Sequence, residues 1–252
     1  MRKSMILAAV LTVMGAATAL AQGIVVNKTD GSKVYFKASE VVSVTTYGYG
    51  EDGPHAPAGA EAVDLGLPSG TKWANMNVGA EKPEDYGLYF AWGETQEKSC
   101  FAPSTYQFAY VDDEKDGLWY DYGHFYNASN IGSDIAGTGY DAATANWGMP
   151  WRMPSQAQIQ ELIDNCSSEC TAQNGVSGLK FVGPSGGTIF LPASGWRYNS
   201  EFFYTDTRGS YWSSTLNEDK SVNAFYLYFV SDYRDLDDLN GRFIGRCVRP
   251  VR

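Results

Sequence analysis

YWSSTLNEDKSVNAFYLYFVSDYRDLDDLNGRFIGRCVRPV, residues 211–251, is the stretch that decides how this chain is read. Ala224-Phe225-Tyr226-Leu227-Tyr228-Phe229-Val230 is an unbroken run of strand formers. Asp, Tyr, Arg and Asn then make a loop over 231–240, and residues 244–251 read as a closing strand. Side chains alternate along a strand, so Phe225, Leu227 and Phe229 share one face, and Tyr226, Tyr228 and Val230 the other. The first set is expected in the core. The second is expected at the surface or packed under the loop. Exposed, Tyr226 and Tyr228 join Asp232, Tyr233, Asp235, Asp237 and Asp238 in one patch, and Tyr198, Tyr204 and Trp212 complete the candidate contact set. Tyrosine gives a broad, rigid, amphipathic contact at low entropic cost, so the patch points to recognition rather than chemistry.

Upstream, the pattern is that of an α+β domain. Trp151-Arg-Met-Pro is followed by Ser155, an N-cap whose partner in a capping box is Gln158, and Ile159, Leu162 and Ile163 form the apolar stripe of a helix. Residues 179–182 and 188–191 read as strands of a hairpin across Gly183-Pro-Ser-Gly-Gly187. Residues 71–75 and 88–92 read as further strands, and 100–146 as a long ordered loop or insertion. The whole predicts an antiparallel sheet with one or two helices and long loops. A short three-stranded β segment precedes it, with strands at Ile24-Val-Val26, Lys33-Val-Tyr-Phe36 and Val41-Val-Ser-Val44.

At the start, Arg2 and Lys3, an apolar run and Ala19-Leu-Ala21 form a basic region, a hydrophobic region and a small-residue cleavage site. The expected organisation is a signal peptide at 1–21, a β-meander segment at 22–47, a Gly/Pro/Ala-rich linker at 48–62 and the main domain at 63–252. An exported protein, periplasmic, at the cell surface or extracellular, is therefore expected, with no transmembrane segment after cleavage. The formal net charge of −10 repels phosphate backbones and argues against a nucleic-acid partner. Four cysteines in an exported chain permit two disulfides. A Cys166–Cys247 bridge would clamp the helix end to the closing strand and leave Cys100 to pair with Cys170; buried thiols are the alternative.

Catalytic and metal motifs are weak. Gly183-Pro-Ser-Gly-Gly187 matches the G-x-S-x-G elbow, but that motif needs a helix after it, and a strand follows here. His55 and His124 are poorly placed as a general base. Asp112-Asp-Glu-Lys-Asp-Gly117 resembles the start of a calcium loop, yet its twelfth position is Gly123 where a bidentate Glu is needed. A solvated acidic loop is the expectation, and no cofactor, no metal and no enzyme activity are expected. Trp73, Trp92 and Trp151 are expected in the core; Trp212 is open between core and surface.

Six ordered blocks carry a resemblance: 63–74 (VDLGLPSGTKWA), 85–94 (DYGLYFAWGE), 151–155 (WRMPS), 189–195 (IFLPASG), 209–215 (GSYWSST) and 245–251 (GRCVRPV). Together they resemble the Fibrobacter succinogenes major paralogous domain family of exported proteins, over about residues 63–252. The resemblance implies a C-type-lectin-like fold related to that of formylglycine-generating enzymes. The Glu-Pro-Asn, Gln-Pro-Asp and Trp-Asn-Asp calcium motifs of sugar-binding lectins do not occur in the sequence. Cys247 also lacks the second cysteine of the oxidase pair. The tail further resembles variable proteins diversified by retroelements, in which Tyr226, Tyr228, Val230, Tyr233 and Asp238 would be displayed residues. The expected function is an exported, non-enzymatic binding module that recognises an extracellular protein or glycan through its C-terminal surface, without calcium. A structural or adhesin subunit that assembles by strand addition, and a retroelement-diversified receptor, are the alternatives.

Overall fold

The computed structural model describes residues 24–27, 33–36 and 54–252, except 115–118, 232 and 238. The chain divides into two units, 1–53 and 54–252. In the first, β1 (Ile24–Asn27) pairs antiparallel with β2 (Lys33–Phe36), from Ile24↔Phe36 to Asn27↔Lys33. The expected signal peptide at 1–21, the expected third strand at 41–44 and residues 48–53 of the expected linker lie outside the described residues.

The second unit is α+β, built of small antiparallel sheets and, among the described residues, two α-helices. It opens with β3 (Ala62–Asp64) paired to β4 (Lys72–Ala74). Ala56, Ala60 and Ala62, from the Gly/Pro/Ala-rich stretch, already pack on the core. Residues 88–92, expected as a strand, form only an isolated bridge at Phe90 before a turn at Trp92. Phe90 exchanges backbone hydrogen bonds with Arg246, while Trp92 N–H donates to Arg242.

The stretch 100–146 is more regular than its composition suggests. A 3-10 turn at Pro103–Thr105 leads to a three-stranded sheet in which β7 (His124–Ala128) lies between β5 (Ala109–Val111) and β6 (Trp119–Asp121). These strands are short, and Tyr110, Tyr120 and Tyr122 face solvent, so apolar alternation is lost. Helix α1 (Ala142–Trp147) follows. Buried Asp141 caps it, accepting from the N–H groups of Ala143 and Thr144 and, beyond the helix, Gly137 and Met153.

Helix α2 (Gln156–Asn165) starts where the sequence places it. Ser155 Oγ accepts from Gln158 N–H, and the Gln158 side chain accepts from Ser155 N–H. Such a cap stabilises a helix by about 1 kcal/mol. Ile159 and Leu162 are buried, and Ile163 packs at the core edge. After it, β8 (Ser167–Gln173), β9 (Val176–Val182) and β10 (Thr188–Pro192) form a sheet with β9 central. The β9–β10 connection is the expected hairpin, and within it Ser185 Oγ donates to the Asp64 carbonyl. β11 (Trp196–Tyr198) and β12 (Glu201–Phe203) make a small ribbon before the last sheet.

That sheet contains β13 (Arg208–Leu216), β14 (Ala224–Val230) and β15 (Tyr233–Asp237), with β14 central. Gly209 is required here, because a Cβ would lie 2.0 Å from the Phe229 ring. The final segment is buried from Gly241 to Val251 but is not the single closing strand its pattern suggests. It makes isolated bridges in turn: Gly245 to Arg197, Arg246 to Phe90, Cys247 to Tyr211, and Val251 to Trp73 and Arg152. Each few residues therefore close a different part of the domain. Trp73, Trp92 and Trp151 lie in the core.

None of the four cysteines forms a disulfide, which corrects the expected Cys166–Cys247 and Cys100–Cys170 pairs. The closing segment seats Cys247 against Tyr86, whose carbonyl accepts from its thiol at 3.2 Å. Burial pushes that thiol up to about 12. Cys166 is buried at the end of α2, whereas Cys170 faces outward on β8, its thiol donating to the Ser231 carbonyl. No helix among the described residues is long and apolar enough to cross a membrane.

Candidate functional site

The antiparallel register of the last sheet builds a grid. Across β13, β14 and β15 its rows run Arg208–Val230–Tyr233, Ser210–Tyr228–Asp235 and Trp212–Tyr226–Asp237. Opposite residues share a face, and so do residues two apart on a strand, so all nine belong to one face. The alternation expected for β14 therefore holds, but the face it assigned to solvent is only partly open. Arg246 of the closing segment lies against it. Its guanidinium sits 3.7 Å from the Tyr226 ring centroid and 4.3 Å from that of Trp212, within cation–π range of both.

Of the expected contact residues, Trp212 therefore lies in the core, and Tyr226 is covered by Arg246 rather than exposed. Tyr226 is 2% exposed and Trp212 is fully buried, with its indole N–H donating to the Phe90 carbonyl at 2.7 Å. On the opposite face, Leu227 and Phe229 are buried as expected, while Phe225 is only half-buried.

Above the grid is a cavity of about 340 Å³. Tyr226, Tyr228, Tyr233 and Asp237 of the expected set line it, together with Arg208 from β13. Trp196 of β11, Asn240 and Arg246 close the remaining sides. Tyr233 is 54% exposed, and its hydroxyl donates to Asp235, whose carboxylate raises the tyrosine's pKa. Asn240 Nδ2 donates to the Tyr226 hydroxyl at 2.8 Å. Tyr204 is exposed beside the cavity, stacking with Trp196 and carrying the Arg208 guanidinium 3.9 Å from its ring centroid. Asp235 supports Tyr233 rather than the cavity wall. Tyr198 packs on Phe203 and Phe243 and does not line the cavity. Asp232 and Asp238 lie outside the described residues.

Arg246 dominates the electrostatics. It is 1% exposed, and burial pulls its pKa down to about 10. Nε donates to Ser210 Oγ at 2.6 Å, but Nη1 is buried with no hydrogen-bond partner among the described residues. Neither Arg246 nor Arg208 forms an ion pair with a carboxylate among those residues. Sequence reasoning missed both arginines, with Trp196 and Asn240. A signal existed for Arg246: a cation inside Phe243-Ile-Gly-Arg-Cys-Val248 cannot be buried cheaply without acceptors or a ligand.

Elsewhere, Asp113 of the acidic stretch holds His124 Nδ1 at 2.9 Å and accepts from Phe125 N–H, contacts that keep its carboxyl below the usual range. Residues 115–117 of that stretch lie outside the described residues. The described residues contain no group of three or more His, Cys, Asp or Glu able to hold a metal. No model of a known protein family matches this chain, and neither does any curated protein or solved structure compared with it.

Proposed function

We propose that this chain is an exported, non-enzymatic binding module whose second unit has a C-type-lectin-like fold of the major paralogous domain kind. Its contact surface is the open side of the β13–β14–β15 face, and its ligand is an extracellular protein or glycan bound without calcium. One observation carries the reading: a cavity walled by Trp196, Tyr228 and exposed Tyr233 also contains two arginines with no ion pair among the described residues. Apolar walls with a few convergent polar groups are the usual make-up of a ligand site. The fold assignment is supported by the return of the chain end to the unit's early strands, where Lys72 of β4 and Arg252 exchange backbone hydrogen bonds. Burial of Tyr226 removes one residue from the set a diversified receptor would display.

The test is an array of extracellular glycans and surface proteins probed with the full chain and with a Tyr228→Ala/Tyr233→Ala variant. The variant is expected to lose at least about tenfold in affinity for the wild-type ligand, the equivalent of one strong contact. Equal binding by both proteins refutes the surface.

A further inference from the structure

Three buried arginines stand in the closing segment, and two are held by several acceptors each, although Arg242 Nη2 is buried without a partner among the described residues. Arg249 donates to Asn77 Oδ1 and to the carbonyls of Ala74 and Phe190. Arg242 donates to Tyr106 Oη and to the carbonyls of Ser129 and Ser221. Arg246 has only its Nε bond to Ser210. Its Nη1 is buried and unpartnered, and Nη2 likewise makes no hydrogen bond among the described residues. The guanidinium lines the cavity, and Arg208 stands on the same wall with no side-chain hydrogen bond or ion pair among the described residues. In a chain of net charge −10, two cations at one cavity, faced there by the single carboxylate of Asp237, form a local exception.

We propose that this cavity takes the carboxylate of a uronic acid residue, with Arg246 facing the carboxylate and Arg208 beside it. The inference rests on the reading of this face as a binding surface and specifies its ligand. Asp237 on the same wall reduces the lining charge to about one positive unit, which matches a monoanion better than a phosphate dianion. A guanidinium forks onto a carboxylate through two parallel N–H donors, a geometry a neutral hydroxyl cannot satisfy; half-buried Arg208 has such a fork unbonded among the described residues, and Arg246 adds its charge from the cavity floor. The remaining walls suit a sugar ring: Trp196 and Tyr228 offer flat apolar faces to its C–H bonds, and Asp237 and Asn240 offer an acceptor and an amide to its hydroxyls. A volume of about 340 Å³ accommodates one monosaccharide unit.

Calorimetric titration of the full chain with sodium D-glucuronate, D-glucose and N-acetylglycine tests this. N-acetylglycine stands for a peptide carboxylate. Glucuronate is expected to bind at least about tenfold tighter than either other probe. Arg208→Gln, at a half-buried site where folding is retained, is expected to remove most of that preference, with an unchanged melting temperature as the check on folding. Equal binding of glucose, tighter binding of N-acetylglycine, no measurable glucuronate binding, or an Arg208→Gln variant as tight as wild type each overturns the proposal. Failure of the underlying reading looks different. An array ligand that depends on Tyr228 and Tyr233 but is not displaced by glucuronate leaves the binding surface standing and removes only the uronate. Absence of any ligand on both tests removes the two together.

Discussion

Arg249 and Arg246 lie three residues apart in one buried segment, yet the structure uses them oppositely. Around Arg249 the domain folds backbone: the Ala74 and Phe190 carbonyls and Asn77 converge on one guanidinium and tie the β3–β4 and β9–β10 regions to the chain end. Around Arg246 it supplies rings, Tyr226 on one side and Trp212 close by, and one hydroxyl. Burial lowers both pKa values to about 10. Both guanidiniums are buried, but three protein acceptors offset desolvation at Arg249 and only one hydroxyl at Arg246. A buried cation that the fold does not satisfy marks a place where something else can.

The largest expected effect lies at the satisfied end. Arg249→Met leaves two buried carbonyls and a buried amide oxygen without a donor, and should destabilise the domain by at least about 3 kcal/mol in urea unfolding. Arg246→Met removes two ring contacts but also an uncompensated buried charge, so its cost should not exceed about 1 kcal/mol. If Arg246→Met proves the more damaging of the two, the distinction between a structural and a ligand-facing arginine fails.

The contrast also shows what could be read from residues alone. The α2 cap, the 179–191 hairpin and the three core tryptophans were legible because each depends on local spacing or on strong burial preference. The alternation along β14 was legible too, and the register confirms it. What covers each face was not, because Arg246 reaches Tyr226 from twenty positions further along the chain. For the same reason residues 244–251 look like one strand: the pattern records burial, and burial here comes from several partners in succession. Four of the expected contact residues line the cavity, but its cations come from positions whose neighbours give no local hint of convergence.

Thiol chemistry sharpens the comparison at a residue between the two arginines. Cys247 follows Arg246 directly and is sealed, while Cys170 on β8 is exposed. Alkylation of the native chain at mildly alkaline pH, read by mass spectrometry, should therefore mark Cys170 and spare Cys247. In denaturant without reductant all four thiols should react, and protection of any pair would restore a disulfide.

The smallest effect probes the wall between Arg246 and the cavity. Tyr226→Phe keeps the ring under the guanidinium, and so most of the cation–π attraction, but removes the hydroxyl that accepts from Asn240 Nδ2. One hydrogen bond of this kind contributes about 1 kcal/mol, and Asn240 is exposed enough to find water instead, so the loss in urea unfolding should stay at or below that figure. Affinity is the more sensitive readout. If Asn240 contributes to the cavity only while Tyr226 holds it, Tyr226→Phe should weaken ligand binding several-fold with almost no change in stability. A variant that loses stability and affinity together would instead make Tyr226 part of the frame, and place the cavity's working boundary at Tyr228 and Tyr233 alone.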